Sequence, residues 1–371
     1  MLYENRIALK YSTKDDDSMK KVLLLYNGST TGHLSGGEYA YSKIRNLLEK
    51  SFDVKAITID DITRDFMPAK IRRLSKRLAI PFMILVSYLL YKRYDLVITS
   101  WSPKIPYYGD IVYVQPFSQN ASVFGNPDSN SRNTLEFLMR FPNKLIAGPS
   151  RRRHVFIANS YYTKERLENE MKLDSLVVYP PVPYHNIDLE SRKEDTVISI
   201  GRVVPSKGFE ALSHVGPKVR KAKFILMGSL GRNGREIVSS ISDSFERAGI
   251  QQNFAYLGWI SDNEKSSLLG TSKVIFHPSV EEPFGIAILE GMANGAIPIV
   301  HNSGGPREFV PREWLFNSYD EAAEKIEIAL KAWTPEVGKS MQEISSHFTE
   351  PNFERDFGRV IELLLKRKKK F

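Results

Sequence analysis

Short apolar, mostly β-branched runs recur along the chain, each closed by Gly, Ser or Pro. They read KVLLLYN, VKAITI, DLVITS, IVYVQ, VFIANS and SLVVYPP, then TVISIGR, KFILMGS, FAYLGW, KVIFHPS and IPIVH. Between them the apolar positions fall at helical spacing. Parallel strands need helical crossovers, so this alternation predicts doubly wound parallel α/β sheets. The rhythm breaks at YPPVPYHNIDLESRKEDT, Tyr179 to Thr196, where three prolines and a charged run intervene. Two Rossmann-like domains are therefore expected, 1–190 and 191–350. The final pattern, NFERDFGRVIELLLKRKKKF, predicts a helix within 351–371 that is able to pack back on the first domain.

A length of 371 residues agrees with two cores. The apolar and charged fractions are those of a globular chain, no run reaches about 18 uncharged apolar residues, and the first 21 residues hold no signal-like segment. A cytoplasmic location is the resulting expectation. The absence of cysteine excludes disulfides, thiolate-bound zinc and a cysteine nucleophile. Of the net charge of +9, +7 belongs to residues 1–200. Within that half, Met67 to Arg93 carries seven cations and no acid: Lys70, Arg72, Arg73, Lys76, Arg77, Lys92 and Arg93. They flank LAIPFMILVSYLL, which is too short to span a bilayer but long enough for a buried or an interfacial helix. A core helix has no need of cations at its ends, so contact with the inner face of a membrane stays open as an alternative to burial.

In open α/β sheets, ligands bind beyond the carboxyl ends of the strands. Four loops of the second half carry polar signals there. GRVVPSKGFEAL supplies Gly201, Arg202, Lys207 and Gly208, a backbone that a ligand can approach and fixed positive charge for a diphosphate. GSLGRNG, from Gly228, is a second glycine-rich loop of low specificity. Ser261 and Glu264 have the spacing of a capping box, which helix initiation explains without a ligand, while Gly258 before them is a donor-site candidate that would let a base lie against the backbone. The fourth is SVEEPFGIAILEGMANGAIPIV: a strand, a turn, and a helix expected from near Ile286 to the Asn294-Gly295 stop. Glu282 then precedes the helix and Glu290 lies about one turn inside it. The free N–H groups of Gly285, Ile286 and Ala287 fall between the two carboxylates. Such an end favours an anion, and the flanking acids accept hydrogen bonds from hydroxyls on either side of it. A glycoside hydrolase would also use two carboxyls, but theirs do not straddle a helix start beside phosphate-type loops. Two surface acids complementing the helix dipole are the plain alternative.

The combination of GRVVPSKGFEAL, SVEEPFGIAILEGMANGAIPIV and NSGGPREFV closely resembles the retaining glycosyltransferases of family 4. That resemblance implies the GT-B architecture, two Rossmann-like domains facing a central cleft, with the acceptor in the first domain and a nucleotide sugar, GDP- or UDP-linked, in the second. It implies that Glu282 contacts donor-sugar hydroxyls, Glu290 the nucleotide ribose, and Arg202 with Lys207 the diphosphate. Gly304 and Gly305 should line the same site, with Glu308 in the family's usual acidic position. No metal or other cofactor is implied, because Arg and Lys take the cation's place.

In the first half, Gly36 and Gly37 open a helix and by the resemblance meet the donor phosphate, although a tight turn with no ligand also explains them. His33 in the same loop, Gln115 and Asn159 are the candidate acceptor contacts. Gln115 stands where many family members have a histidine; it can donate a hydrogen bond but cannot titrate. Asn159 and Ser160 also suit a strand-to-helix cap. The segments VFIANSYYTKERL and LVVYPPV resemble segments of the same family, and the second resembles particularly the mannosyltransferases that extend lipid-linked oligosaccharides. Metal-independent, retaining transfer of a hexose, mannose by that likeness, is the leading expectation. A UDP-glucose-type enzyme acting on a soluble or polysaccharide acceptor is its same-fold alternative. A non-catalytic nucleotide or nucleic-acid binder is the different-class one. Nucleic-acid binding would interleave aromatics with the cations, whereas the basic segment is aliphatic. A nicotinamide dehydrogenase is disfavoured, because no Gly-x-Gly-x-x-Gly follows a strand.

Overall fold

The computed structural model describes residues 19–26, 36–66, 79–101, 109–114, 154–183, 189 and 194–368. The chain divides into two units, Met1–Tyr179 with Phe353–Phe371, and Pro180–Asn352. His33, Gln115, Arg72, Arg73, Lys76 and Arg77 lie outside the described residues.

The first unit is built on a parallel sheet of β1 (Lys21–Tyr26), β2 (Asp53–Thr58), β3 (Leu96–Trp101), β4 (Ile111–Val114), β5 (Val155–Ala158) and β6 (Ser175–Val177), in the order β2-β1-β3-β4-β5-β6. Val22 to Tyr26 are all buried, as a strand covered by helices on both faces requires. Helix α1 (Gly36–Glu49) contributes Tyr41, Ile44 and Leu48 to one face, and α2 (Ala79–Leu90) contributes Met83 and Val86 to the other. Helix α3 (Tyr161–Met171) begins at Ser160, whose hydroxyl accepts from the Thr163 N–H at 3.0 Å.

The second unit's sheet comprises β7 (Glu194–Ile200), β8 (Lys223–Met227), β9 (Phe254–Gly258), β10 (Ser272–His277), β11 (Ile297–His301) and β12 (Leu315–Phe316), ordered β12-β11-β10-β7-β8-β9. Its helices are α4 (Gly234–Arg247), α5 (Asp262–Thr271), α6 (Ile286–Ala293), α7 (Tyr319–Ala332) and α8 (Pro335–Ser346). The Ser261–Glu264 capping box opens α5 as expected. Strand order reverses between β7 and β10, which pair in parallel, and the carboxyl end of such a reversal is the crevice where open α/β sheets take their ligands.

Helix α9 (Glu350–Lys368) carries the chain back to the first unit's core, where Phe353, Phe357, Ile361 and Leu365 are buried with Val22, Ile98 and Tyr113. Its last residue is anchored: Lys368 Nζ lies 2.7 Å from Asp110 Oδ1 and donates to the Asp95 carbonyl at 2.9 Å. The eleven strands legible in the sequence are all present. The twelfth, β12, is two residues long, too short for a period-2 pattern to register.

Candidate active site

The crevice between β7 and β10 is built by backbone pressed on backbone. Gly201, at φ +153°, follows β7, and Phe209 packs beneath it. A Cβ on Gly228, which follows β8, would stand 1.9 Å from the Gly201 carbonyl oxygen, and one on Gly208 would stand 3.1 Å from that of Pro278. At Gly228 only glycine permits so close an approach, and at Gly208 the positive φ of +66° favours glycine as well. The chain of contacts continues as Gly228 N–H donates to the Gly258 carbonyl at 2.7 Å, and Ser279 Oγ donates to the Ser206 carbonyl at 3.3 Å. The loops after β7, β8, β9 and β10 are thus one packed floor.

On that floor stand the charges. Lys207, in a short 3-10 turn after β7, donates from Nζ to Glu282 Oε2 at 2.6 Å. His277, the last residue of β10, places Nε2 3.1 Å from the same oxygen. Both contacts fall on Oε2, and no side-chain hydrogen bond to Oε1 is found among the described residues. The Glu282 side chain is only 12% exposed. Burial alone pushes its carboxyl up, but the Lys207 charge and the His277 hydrogen bond outweigh that and hold it well below the usual carboxylate range. Arg202 is exposed, forms no ion pair among the described residues, and runs its stem past Gly231.

Beyond the turn, α6 starts at Gly285 (φ +101°) with no side chain capping it, so its first N–H groups are left without an intrahelical partner or a side-chain cap. Ile286 and Ala287 are half-buried there, and the helix stops at Asn294-Gly295. Glu290, buried inside α6, receives Lys265 Nζ on Oε1 at 2.9 Å.

Gly304 and Gly305 are buried behind the turn. Gly305 N–H donates to the Glu282 carbonyl at 2.8 Å, and a Cβ on Gly304 would meet that oxygen at 2.3 Å. They back Glu282's main chain. Glu281, next to it, is a non-glycine residue at φ +55°, a conformation that costs about 1–2 kcal/mol. Its N–H is held by Ser303 Oγ at 2.8 Å, and Ser303 also bonds His301 Nδ1 at 2.8 Å. Glu308 ends the following turn and is exposed.

In the first unit, Gly36 and Gly37 open α1. Asn159 Oδ1 accepts from the hydroxyls of Thr163 at 2.7 Å and Ser160 at 3.3 Å, so it is engaged in starting α3. Sequence reasoning missed His277 and Lys265. A signal existed for His277, a histidine ending a strand whose next loop carries the acids; Lys265 lay hidden within an ordinary capped helix.

Two parallel Rossmann-like sheets, with an uncapped helix start and clustered cations at the second sheet's reversal point, define the fold class of the GT-B glycosyltransferases. A solved member, Anabaena HepE in complex with UDP and glucose, superposes with a TM-score of 0.63 at 18% identity, covering 92% of this chain and 99% of that one. More particularly, residues 184–346 match the family described as glycosyl transferases group 1. Among its relatives is the GDP-Man:Man(3)GlcNAc(2)-PP-Dol alpha-1,2-mannosyltransferase of Dictyostelium discoideum, 27% identical over 221 residues, 52% of this chain and 43% of that protein. The Xenopus laevis protein of the same name is 30% identical over 232 residues, 55% of this chain and 47% of its own length. The matched stretch thus spans a little under half of each relative.

Proposed function

We propose that the protein transfers a hexose, mannose in the first instance, from a nucleoside diphosphate donor to an acceptor hydroxyl with retention and without a metal. The observation that carries this reading is the Lys207–Glu282–His277 cluster beside the uncapped start of α6. Glu282 Oε1 would accept from the sugar, and the α6 N–H groups with Arg202 and Lys207 would take the diphosphate. The bond from the sugar's anomeric carbon to the diphosphate oxygen breaks as the acceptor oxygen bonds the same face. The acceptor proton passes to the departing phosphate, whose growing charge the cations and helix end stabilise. Mannose and a GDP carrier are favoured by the names of the relatives. The complex of HepE with UDP and glucose supports the second reading, a UDP-linked donor.

A thermal-shift panel tests the donor. GDP-mannose at many times its dissociation constant should stabilise the protein by a few kcal/mol. UDP-glucose stabilising it instead would replace the first reading with the second, and a null result for every nucleotide sugar would overturn both. Anomeric NMR of the product tests retention, and transfer that persists in chelator tests metal independence.

The acceptor is proposed to be lipid-linked and met at the cytoplasmic face of a membrane. No helix among the described residues is long and apolar enough to cross one. Helix α2, however, turns Leu85, Tyr88 and Leu89 outward, each more than half exposed and on one face by their spacing. Lys92 and Arg93 follow at its end, both exposed, which suits an anionic lipid surface. Co-sedimentation with phosphatidylglycerol vesicles but not phosphatidylcholine ones is expected, weakened in Leu85→Ser/Leu89→Ser. Equal binding to both vesicle types would remove the electrostatic part of the proposal.

A further inference from the structure

The reading above leaves Lys265 without a role. It sits on α5, the helix that leaves the loop after Gly258, and crosses to α6, where its Nζ meets Glu290 Oε1 at 2.9 Å. It also lies 3.2 Å from Asp262 Oδ1, an almost fully exposed carboxylate. The Glu290 side chain is 10% exposed and that of Lys265 24%, so the pair is largely withdrawn from water. Burial pulls the Lys265 amine down, but the charges and hydrogen bonds of Glu290 and Asp262 together outweigh this and the amine ends above its ordinary value.

An isolated carboxylate here would have two defects as a ribose acceptor. It would repel the diphosphate that must lie nearby, and it would be free to rotate either oxygen toward the ligand. A lysine on Oε1 cures both, because the pair carries no net charge and no described residue engages Oε2.

We propose that Lys265 is a positioning residue for ribose: by holding Glu290 Oε1 it presents Oε2 to a sugar hydroxyl of the nucleotide and so sets the preference for ribonucleotides. This rests on the reading of Glu290 as the ribose acceptor. Oε2 is an acceptor only, and a nucleotide lacking the matching hydroxyl leaves it buried and unpaired.

The test is calorimetric titration with GDP and UDP and with their 2′-deoxy and 3′-deoxy counterparts. The wild type should bind the better ribonucleotide roughly 10- to 100-fold more tightly than one of its deoxy forms. In Lys265→Met that ratio should collapse to within about threefold, because both nucleotides meet the unpaired Glu290 charge but only the ribonucleotide also loses an oriented acceptor, while Lys265→Arg keeps it. A purely structural defect would weaken both nucleotides alike and leave the ratio standing, which would overturn the proposal. Lys265→Leu, which likewise removes the donor and leaves only an apolar side chain, gives the same reading if the methionine variant fails to fold. Glu290→Gln separates the two claims. If it loses discrimination while the Lys265 variants retain it, only the role of Lys265 falls. If it retains discrimination, or the wild type shows none, the ribose assignment of Glu290 falls and takes this proposal with it.

Discussion

Glu282→Gln should lower transfer by roughly 10²- to 10³-fold, the scale on which removal of one preorganised electrostatic group acts in an active site. The substitution keeps shape and volume but removes the charge that Lys207 and His277 both address at Oε2. The carboxylate's pH behaviour sharpens the expectation. Because its folded pKa is depressed, the stabilisation it brings is present above the unfolded value and is lost only as pH falls through the folded one. The wild-type rate should therefore show no acid limb from Glu282 at any pH where the protein is ordinarily assayed. Lys207→Met removes the largest opposing influence and leaves burial to push the carboxyl up. An acid limb should then appear, together with a loss of roughly 1–3 kcal/mol in stability. That is below the range for a fully buried pair, because Lys207 keeps 30% exposure and is partly screened by water. Stopped assays across pH with both variants check this. Glu282→Gln within tenfold of wild type, at unchanged melting temperature, would remove Glu282 from the reaction.

The residues of this cluster were unequally visible in the chain. Glu282, Glu290, Arg202 and Lys207 lie in loops whose composition already looks unlike ordinary turns: glycine, proline and charge just past an apolar strand. The sequence also contained the α6 start, because Pro-Phe-Gly breaks the strand pattern and Asn-Gly stops the helix eight residues on. What it could not contain was pairing. Lys207 and Glu282 are 75 positions apart, and Lys265 and Glu290 are 25 apart. The first pair meets because β7 and β10 are neighbours, a fact of strand order, and the second because the helices before and after β10 bring the two side chains together, neither being a matter of local pattern. His277 carried one signal, its place at the end of a strand whose next loop holds the acids, but a strand end buried on both faces takes it inside whether or not it has a polar partner. Gly304 and Gly305 illustrate the converse. Their motif pointed to the site, but a glycine serves equally by admitting a ligand or by admitting another backbone, and the fold uses these two for the second purpose.

That use makes Gly304→Ala the second substitution expected to act strongly, without any contact to substrate. Gly304 has φ +74°, and an added Cβ would stand 2.3 Å from the Glu282 carbonyl oxygen and 2.8 Å from its amide nitrogen. Neither is the movable end of a side chain, so the Glu282 turn itself must shift. That turn is already held against strain at Glu281 by the Ser303 hydroxyl, and it sets where the Glu282 carboxylate points. Shifts of about 1 Å at such a group cost on the order of 10²-fold in rate. Gly249→Ala supplies the comparison. It too lies at positive φ, +69°, but nothing stands within 4 Å of its added methyl group, so it suffers the backbone penalty of about 1–2 kcal/mol and no collision. At a temperature well below both melting points, Gly249→Ala should transfer sugar at the wild-type rate while Gly304→Ala falls by about two orders of magnitude. Equal rates in the two variants would mean that the turn tolerates displacement, and that Glu282 is oriented by Lys207 and His277 alone.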